Sequence, residues 1–105
     1  MARKSNPDVI YGDFEWDADK AQYNIEEHKV TFAEATTIFA DPFYLIYKDP
    51  DHSIGEWRYI IIGESESNRY LIVSFTKRGA RTRIISAREL DPKERRAYEK
   101  KKGRF

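Results

Sequence analysis

The chain reads as an α+β fold, with two N-terminal helices, a four-stranded antiparallel sheet in meander order, and a C-terminal helix. Three observations predict it. Two helical periodicities, each opened by a capping residue, fill the region after residue 16. Four runs rich in β-branched and aromatic residues follow, and the polar spacers between them are too short for parallel crossovers. The run Asp91-Pro92-Lys93-Glu94 then signals one more helix start.

Residues 1–13 are polar apart from Val9, Ile10 and Tyr11 and are expected to form a flexible arm, with room for a short edge strand. Residues 14–105 are expected to form one domain. Phe14 and Trp16 share a face of an extended segment and suit core anchors. Asp17 caps a helix over 18–28 with Ala21, Ile25 and His28 at helical spacing. Thr31 opens a second helix with a capping box, in which the Glu34 carboxylate reaches back to Thr31. Phe32, Ala35, Ile38 and Phe39 form its apolar stripe, and Asp41-Pro42 ends it. Strands are expected over 43–48, 57–63, 70–76 and 81–87. In the third, Leu71, Val73 and Phe75 alternate against Tyr70, Ile72 and Ser74. A helix from 92 to about 102 closes the chain, stopped by Gly103 and docked on the sheet by Tyr98.

No cysteine is present, which excludes disulfides and thiolate metal sites and fits a cytoplasmic setting. No apolar run reaches membrane-spanning length, and the N-terminus lacks a signal-type apolar stretch, so a soluble protein without membrane contact is expected. The net charge of +1 conceals an asymmetry. Residues 1–76 hold 7 Lys/Arg against 14 Asp/Glu, and residues 77–105 hold 12 against 4.

The basic third centres on 77–88. Simple alternation from Arg81 puts Arg81, Arg83, Ile85 and Ala87 on one face and Thr82, Ile84, Ser86 and Arg88 on the other. With Lys77 and Arg78 at the turn, five cations are expected near one end of the sheet, an arrangement that suits a polyanion. Long arginine stems covering apolar surface are the alternative.

Several pieces in order resemble the BrnT-type toxins. They are Phe14-x-Trp16-Asp17-x-x-Lys20-x-x-x-Asn24-x-x-x-His28-x-Val30-x-Phe32-x-Glu34-Ala35, Asp41-Pro42, His52-Ser53, Glu56-x-Arg58, Gly63-x-Ser65, Phe75-Thr76 with Arg78, Arg83 to Arg88, and Glu94-Arg95-x-x-Tyr98. The resemblance implies a RelE-like ribonuclease of a bacterial type II toxin–antitoxin module that blocks translation by cutting RNA. It further implies a DNA-binding, BrnA-like antitoxin that inhibits the toxin and, with it, represses the shared operon, so that operator DNA is met only through the antitoxin. A toxin homodimer within a heterotetramer is one arrangement open to that complex. Where the family often has Lys-His-Gly-Val, this chain has Glu27-His28-Lys29-Val30, and the missing glycine is expected to remove a helix stop.

Metal-independent RNA cleavage needs a base for the 2′-OH, an acid for the 5′-oxygen and fixed cations for the phosphate. His52, Glu56 and Arg58 lie within seven residues, with Glu56 and Arg58 expected on one strand face. His52 or Glu56 suits the base or acid, Arg58 suits a bidentate phosphate grip, and Arg83 and Arg88 can complete the cradle. Lys77, Arg78 and Arg81 suit the flanking RNA backbone, as does Lys20, although a surface ion pair fits Lys20 as well. An exposed ion pair is the plain alternative for Glu56–Arg58. Asp49, Asp51 and His52 make only a weak divalent-ion pattern, and no metal or cofactor is expected. Tyr44, Tyr47, Trp57, Tyr59 and Tyr70 are candidate base platforms, with core packing the better fit for most. A non-catalytic RNA- or protein-binding domain shares the charge pattern and is the alternative to the enzyme.

Overall fold

A computed structural model of the chain describes residues 7–103, so the first six residues of the arm expected over 1–13 lie outside the described residues, and residues 8–11 of it form an edge strand of the sheet. Two short strands come first, β1 (Asp8–Tyr11) and β2 (Phe14–Asp17), then α1 (Ala18–His28) and α2 (Phe32–Thr37). A 3-10 turn (Ile38–Ala40) leads to β3 (Leu45–Lys48), and another (Pro50–His52) leads to β4 (Arg58–Glu64). β5 (Tyr70–Arg78), β6 (Arg81–Glu89) and α3 (Pro92–Lys101) complete the fold.

The expected four-stranded antiparallel meander is the C-terminal part of a larger mixed sheet. Six strands pair in the order β1-β2-β6-β5-β4-β3. β2 runs parallel to β6, with Phe14, Glu15 and Trp16 opposite Thr82, Arg83 and Ile84, while every other pair is antiparallel. The parallel pair is possible because α1, α2 and three strands intervene, far more chain than a crossover requires.

Both N-terminal helices cover one face of this sheet. Trp16, Val30, Phe32, Ala35, Ile38, Ile61, Leu71, Val73, Phe75, Ile84 and Ala87 form the core beneath them. Trp16 meets Phe32 edge-on at 5.8 Å, and Phe14 meets Phe39 at 5.1 Å, so both aromatic anchors of β2 pack as expected. Gly63 allows a close approach here, because a Cβ on it would lie 3.1 Å from Asp41 Oδ2 and 3.2 Å from the Ile38 Cβ.

The caps form as the sequence implies, with one change. The Asp17 carboxylate accepts from the Lys20 N–H (2.9 Å), and the Thr31 hydroxyl accepts from the Glu34 N–H (3.0 Å). Asp91 and Glu94 make a complete capping box. At α2 the return arm is absent, because the Glu34 carboxylate accepts instead from Arg69 Nε (3.0 Å), Arg69 Nη2 (2.5 Å) and Ser65 Oγ (2.7 Å). Arg69 Nη2 also donates to the Lys29 carbonyl (2.9 Å), which ties the α1–α2 turn to β5. The helix stop at 29 survives without glycine. Lys29 adopts the left-handed conformation, φ 59°, and its N–H donates to the Ile25 carbonyl.

The inward face of α1 departs from the expected Ala21, Ile25, His28 stripe. Asn24 is 3 % exposed and Ile25 is 38 % exposed. β2 pairs only with residues 82–84, which leaves the next part of the β6 edge open. Asn24 fills that edge. Its Oδ1 accepts from the Ala87 N–H (3.0 Å), and its Nδ2 donates to the carbonyls of Ala87 (2.8 Å) and Val30 (2.9 Å). One side-chain amide thus stands in for a strand residue, which apolar Ile25 cannot do.

α3 crosses the end of the sheet near Glu64 and Tyr70. Tyr98 is fully buried, with its ring 5.4 Å from that of Tyr70. Its hydroxyl donates to Asp41, which also accepts from the N–H groups of Phe43 (2.9 Å) and Glu64 (2.7 Å). Burial pushes the Asp41 carboxyl up, but these donors outweigh it and hold it below the usual range. Burial and the neighbouring Asp41 carboxylate push the Tyr98 hydroxyl up.

Candidate active site

The sheet face opposite the helices carries the candidate site, and a bulge shapes it. Ser74 pairs with Ser86 and Phe75 with Ile84, so Ile85 is an extra residue in β6. Alternation therefore changes phase inside the strand. Thr82, Ile84 and Ala87 are all buried on the helix side, whereas Arg83, Ser86 and Arg88 are part-exposed. The expected split, with Arg83 and Arg88 on opposite faces, is overturned. Arg58 lies across Thr76 from Arg83, and Ile60 lies across Ser74 from Ser86, so one face presents basic ends over an apolar and hydroxyl floor.

Two adjoining hollows of about 320 and 200 Å³ on this face share Asp49, His52, Ser74 and Ser86 and form one groove. Arg58 and Ile85 line one end, and His28 and Arg88 line the other. Ile60 and Ile72 complete the floor. The chain has two histidines, and both meet in this groove. His28 arrives there because Asn24 holds the C-terminal half of α1 against the β6 edge, next to Arg88.

The loop before β4 is built to present His52. Its Nδ1 lies 2.9 Å from Asp49 Oδ2. An ionised carboxylate only accepts, so Nδ1 is the donor, and in the neutral imidazole Nε2 keeps the lone pair. Backbone hydrogen bonds pin the loop: the Asp49 N–H donates to the Arg58 carbonyl (2.8 Å), and the Arg58 N–H donates to Ser53 Oγ (2.9 Å). Arg58 and His52 are thereby coupled through three short contacts.

The expected cations divide by their partners. Arg58 has no carboxylate partner among the described residues. Arg88 forms a bidentate pair with Glu94 (2.9 Å and 2.9 Å), so its charge at the groove rim is largely compensated. That hydrogen bond raises the Arg88 guanidinium and lowers the Glu94 carboxyl. Arg83 is held by Asp8 (3.1 Å on both arms) and by Glu15 (2.6 Å), and these bonds raise its guanidinium. Two carboxylates on one arginine leave this triad net negative, and it fastens β1, β2 and β6 together.

Other candidates stand apart from the groove. Glu56 lies before β4, not on its face beside Arg58, and pairs with Arg78 at 3.4 Å. Lys77 donates to Thr82 Oγ1 (3.1 Å) and lines a hollow on the helix side with Phe39, Tyr59 and Phe75. Arg81 is exposed opposite Arg78 at the hairpin tip, and Lys20 is exposed in the first turn of α1. Of the five cations of 77–88, Lys77, Arg78, Arg81 and Arg83 do gather at the hairpin end of β5 and β6, whereas Arg88, opposite Ile72, lies toward the other end. Among the described residues no group of three or more His, Asp or Glu converges as a metal cage, so Asp49, Asp51 and His52 do not form one. Tyr44, Tyr47 and Trp57 are about half exposed, against the core role expected for most aromatics. His28 and Asn24 are the site residues that a residue-type search overlooks. The available signal was a lone Asn four residues before a helix-end His.

Comparison with known proteins agrees with this architecture. A crystal structure of the Brucella abortus ribonuclease toxin BrnT superposes with a TM-score of 0.57 at 24 % identity, covering 72 % of this chain and 92 % of that one. At that identity the likeness speaks for the fold. A comparison with curated protein sequences gives no match. The family model for BrnT, the ribonuclease toxin of type II toxin–antitoxin systems, matches residues 16–94, which include α1, the His52 loop and the whole of β4 to β6. The chain belongs to the family of BrnT ribonuclease toxins of type II toxin–antitoxin systems.

Proposed function

We propose that the open-face groove cuts RNA without a metal, by attack of a ribose 2′-OH on the adjacent phosphorus. The observation that carries this is the Asp49-oriented His52 beside an Arg58 free of carboxylates, with a second imidazole in the same groove. One imidazole takes the 2′-OH proton as the O2′–P bond forms. The other gives a proton to the 5′-oxygen as the P–O5′ bond breaks, leaving a 2′,3′-cyclic phosphate and a 5′-OH. Arg58 holds the non-bridging oxygens while their charge grows, and Ser74 and Ser86 supply neutral donors on the floor. Arg88, kept in place by Glu94, guides the backbone at the rim. Arg78, Arg81, Lys77 and Lys20 act on flanking phosphates, and Glu56 acts through Arg78.

In this proposal cleavage in the cytoplasm blocks translation, through a RelE-like mode of action. A DNA-binding, BrnA-like antitoxin neutralises the toxin, and the pair represses its own operon. Membership of the toxin family supports these roles.

The test is a defined RNA incubated in EDTA with the wild type, Arg58→Ala, His52→Ala and His28→Ala. Cleavage by the wild type with cyclic phosphate ends is expected, with a drop of about 100-fold or more for Arg58→Ala and His52→Ala. Equal cleavage by all four chains overturns the site. Binding without cleavage by the wild type returns the chain to an RNA-binding module.

A further inference from the structure

We propose that the outer edge of β3, with the last turn of α3, is the docking site for an extended, acidic and apolar segment of the antitoxin, which adds as a seventh strand. The proposal rests on the toxin–antitoxin reading above. β3 is the terminal strand of the sheet, paired only with β4, so one side of its backbone offers N–H and C=O groups to a newcomer. Natural edges of this kind are guarded by charge, proline or bulges. Apart from Lys48 at its end, β3 exposes Ile46 (50 %) and Tyr47 (49 %), and the residues leading into it expose Phe43 (44 %) and Tyr44 (46 %). The opposite terminal strand, β1, also exposes Ile10 (56 %) and Tyr11 (49 %), but its charged residue is Asp8, held by Arg83, which suits an acidic segment poorly.

A groove of about 750 Å³ runs beside this edge, bounded by Tyr44, Ile46 and Tyr47 on one side and by Ala97, Lys100 and Lys101 on the other. Lys100 and Lys101 have no acidic partner among the described residues, whereas their neighbour Lys102 is paired with Glu64 at 3.2 Å. The helix C-terminus carries two uncompensated ammonium groups beside exposed aromatic anchors. The matching ligand is a strand whose main chain pairs with β3, whose apolar residues cover Tyr44, Ile46 and Tyr47, and whose carboxylates meet the lysines. A second copy of this chain fits less well, since pairing two β3 edges would bring four unpaired lysines together. Position gives the contact a consequence. β3 ends at Lys48, and the next residue is Asp49, which orients His52. A segment laid on this edge therefore ends at the wall of the catalytic groove.

The experiment uses the full chain and the antitoxin encoded beside it, co-expressed and then purified separately for titration. Three chains are compared: wild type, Ile46→Lys, and Lys100→Glu with Lys101→Glu. On complex formation the wild-type amides of residues 44–48 are expected to exchange at least ten-fold more slowly. Each variant is expected to bind at least ten-fold more weakly, with thermal unfolding and RNA cleavage of the free chain unchanged. Wild-type binding with no protection at 44–48 and full affinity in both variants overturns the proposal and leaves the toxin–antitoxin reading standing. No complex with the wild type removes that reading and the proposal with it. Two further results also overturn it: a wild-type dimer dispersed by Ile46→Lys, which makes the occupant a second copy, and lysine variants that lose RNA rather than antitoxin, which makes it substrate.

Discussion

Replacing Asn24 by alanine strips three hydrogen bonds from the junction of α1 and β6, at 2.8, 2.9 and 3.0 Å. The Ala87 N–H, the Ala87 carbonyl and the Val30 carbonyl lose their partner, and Ala87 and Val30 are themselves buried at 1 % and 0 %. An orphaned buried group costs about 1–3 kcal/mol, so three give roughly 3–9 kcal/mol with nothing relaxed. The β6 edge lies beside the helix and water can enter once the amide is gone, which places the expected loss near the lower end, about 3 kcal/mol. For a chain of this size that lowers Tm by roughly 12–24 °C. Urea unfolding followed by far-UV circular dichroism measures it, with the slope unchanged if both chains unfold in two states. Tyr23→Ala, one position away and 63 % exposed, is the control and is expected to stay within about 0.5 kcal/mol. A second readout is catalytic. Conditions that keep Asn24→Ala fully folded are still expected to show slower RNA cleavage, because the His28 wall has lost its anchor. A loss below about 1 kcal/mol refutes the view that Asn24 substitutes for a missing strand partner.

Arg83→Met is expected to cost about 1–3 kcal/mol by removing the guanidinium that Glu15 and Asp8 accept from, while RNA cleavage per folded molecule holds; loss of cleavage at unchanged stability in urea would return Arg83 to the catalytic set. Lys29→Gly is expected to stabilise by about 0.5–1 kcal/mol, since it relieves a left-handed backbone at φ 59°, and differential scanning calorimetry reads the rise in Tm. Acid is expected to unfold the chain through the carboxyls that folding depresses. Glu34 is lowered chiefly by the Arg69 hydrogen bond, Glu94 by that of Arg88, and Asp41 by its donors against burial. Their stabilisation is in place above the ordinary values of 4.5 and 3.8 and is lost as pH falls through the depressed folded values. Tyr98→Phe is expected to cost about 2 kcal/mol at neutral pH and progressively less through the acid limb, as urea midpoints against pH report; a pH-independent cost would sink the Asp41 coupling.

Local chemistry was legible where it is written in adjacent residues. Asp17, Thr31 and Asp91 cap helices because a short acceptor precedes free N–H groups, and nothing distant competes with them. The β5–β6 hairpin was legible for the same reason, with Gly79 at φ 59° between Arg78 and Arg81. Partners chosen across the fold were hidden. The Glu34 carboxylate could have closed a local capping box, but Arg69, thirty-five residues away, offers two charged donors and wins. The bulge at Ile85 leaves no mark in a run of isoleucines, yet it decides which face Arg88 occupies. For the site, the His52 and Arg58 neighbourhood was visible as a cluster in sequence. His28 was not, because its place depends on a side chain finishing the β6 edge.

The parallel pairing of β2 with β6 sets an order of events during synthesis. About 70 residues of chain separate Trp16 from its partner Ile84. At the usual 5–20 residues per second, roughly 3–14 s pass between the making of the two. Until then the N-terminal hairpin has no neighbour in the sheet, α1 has no edge for Asn24 to occupy, and His28 has no groove to line. Closing so long a loop is a late and slow step in folding. A nascent chain that stalls before β6 therefore lacks the candidate groove, and the fold is finished only once β6 has been made.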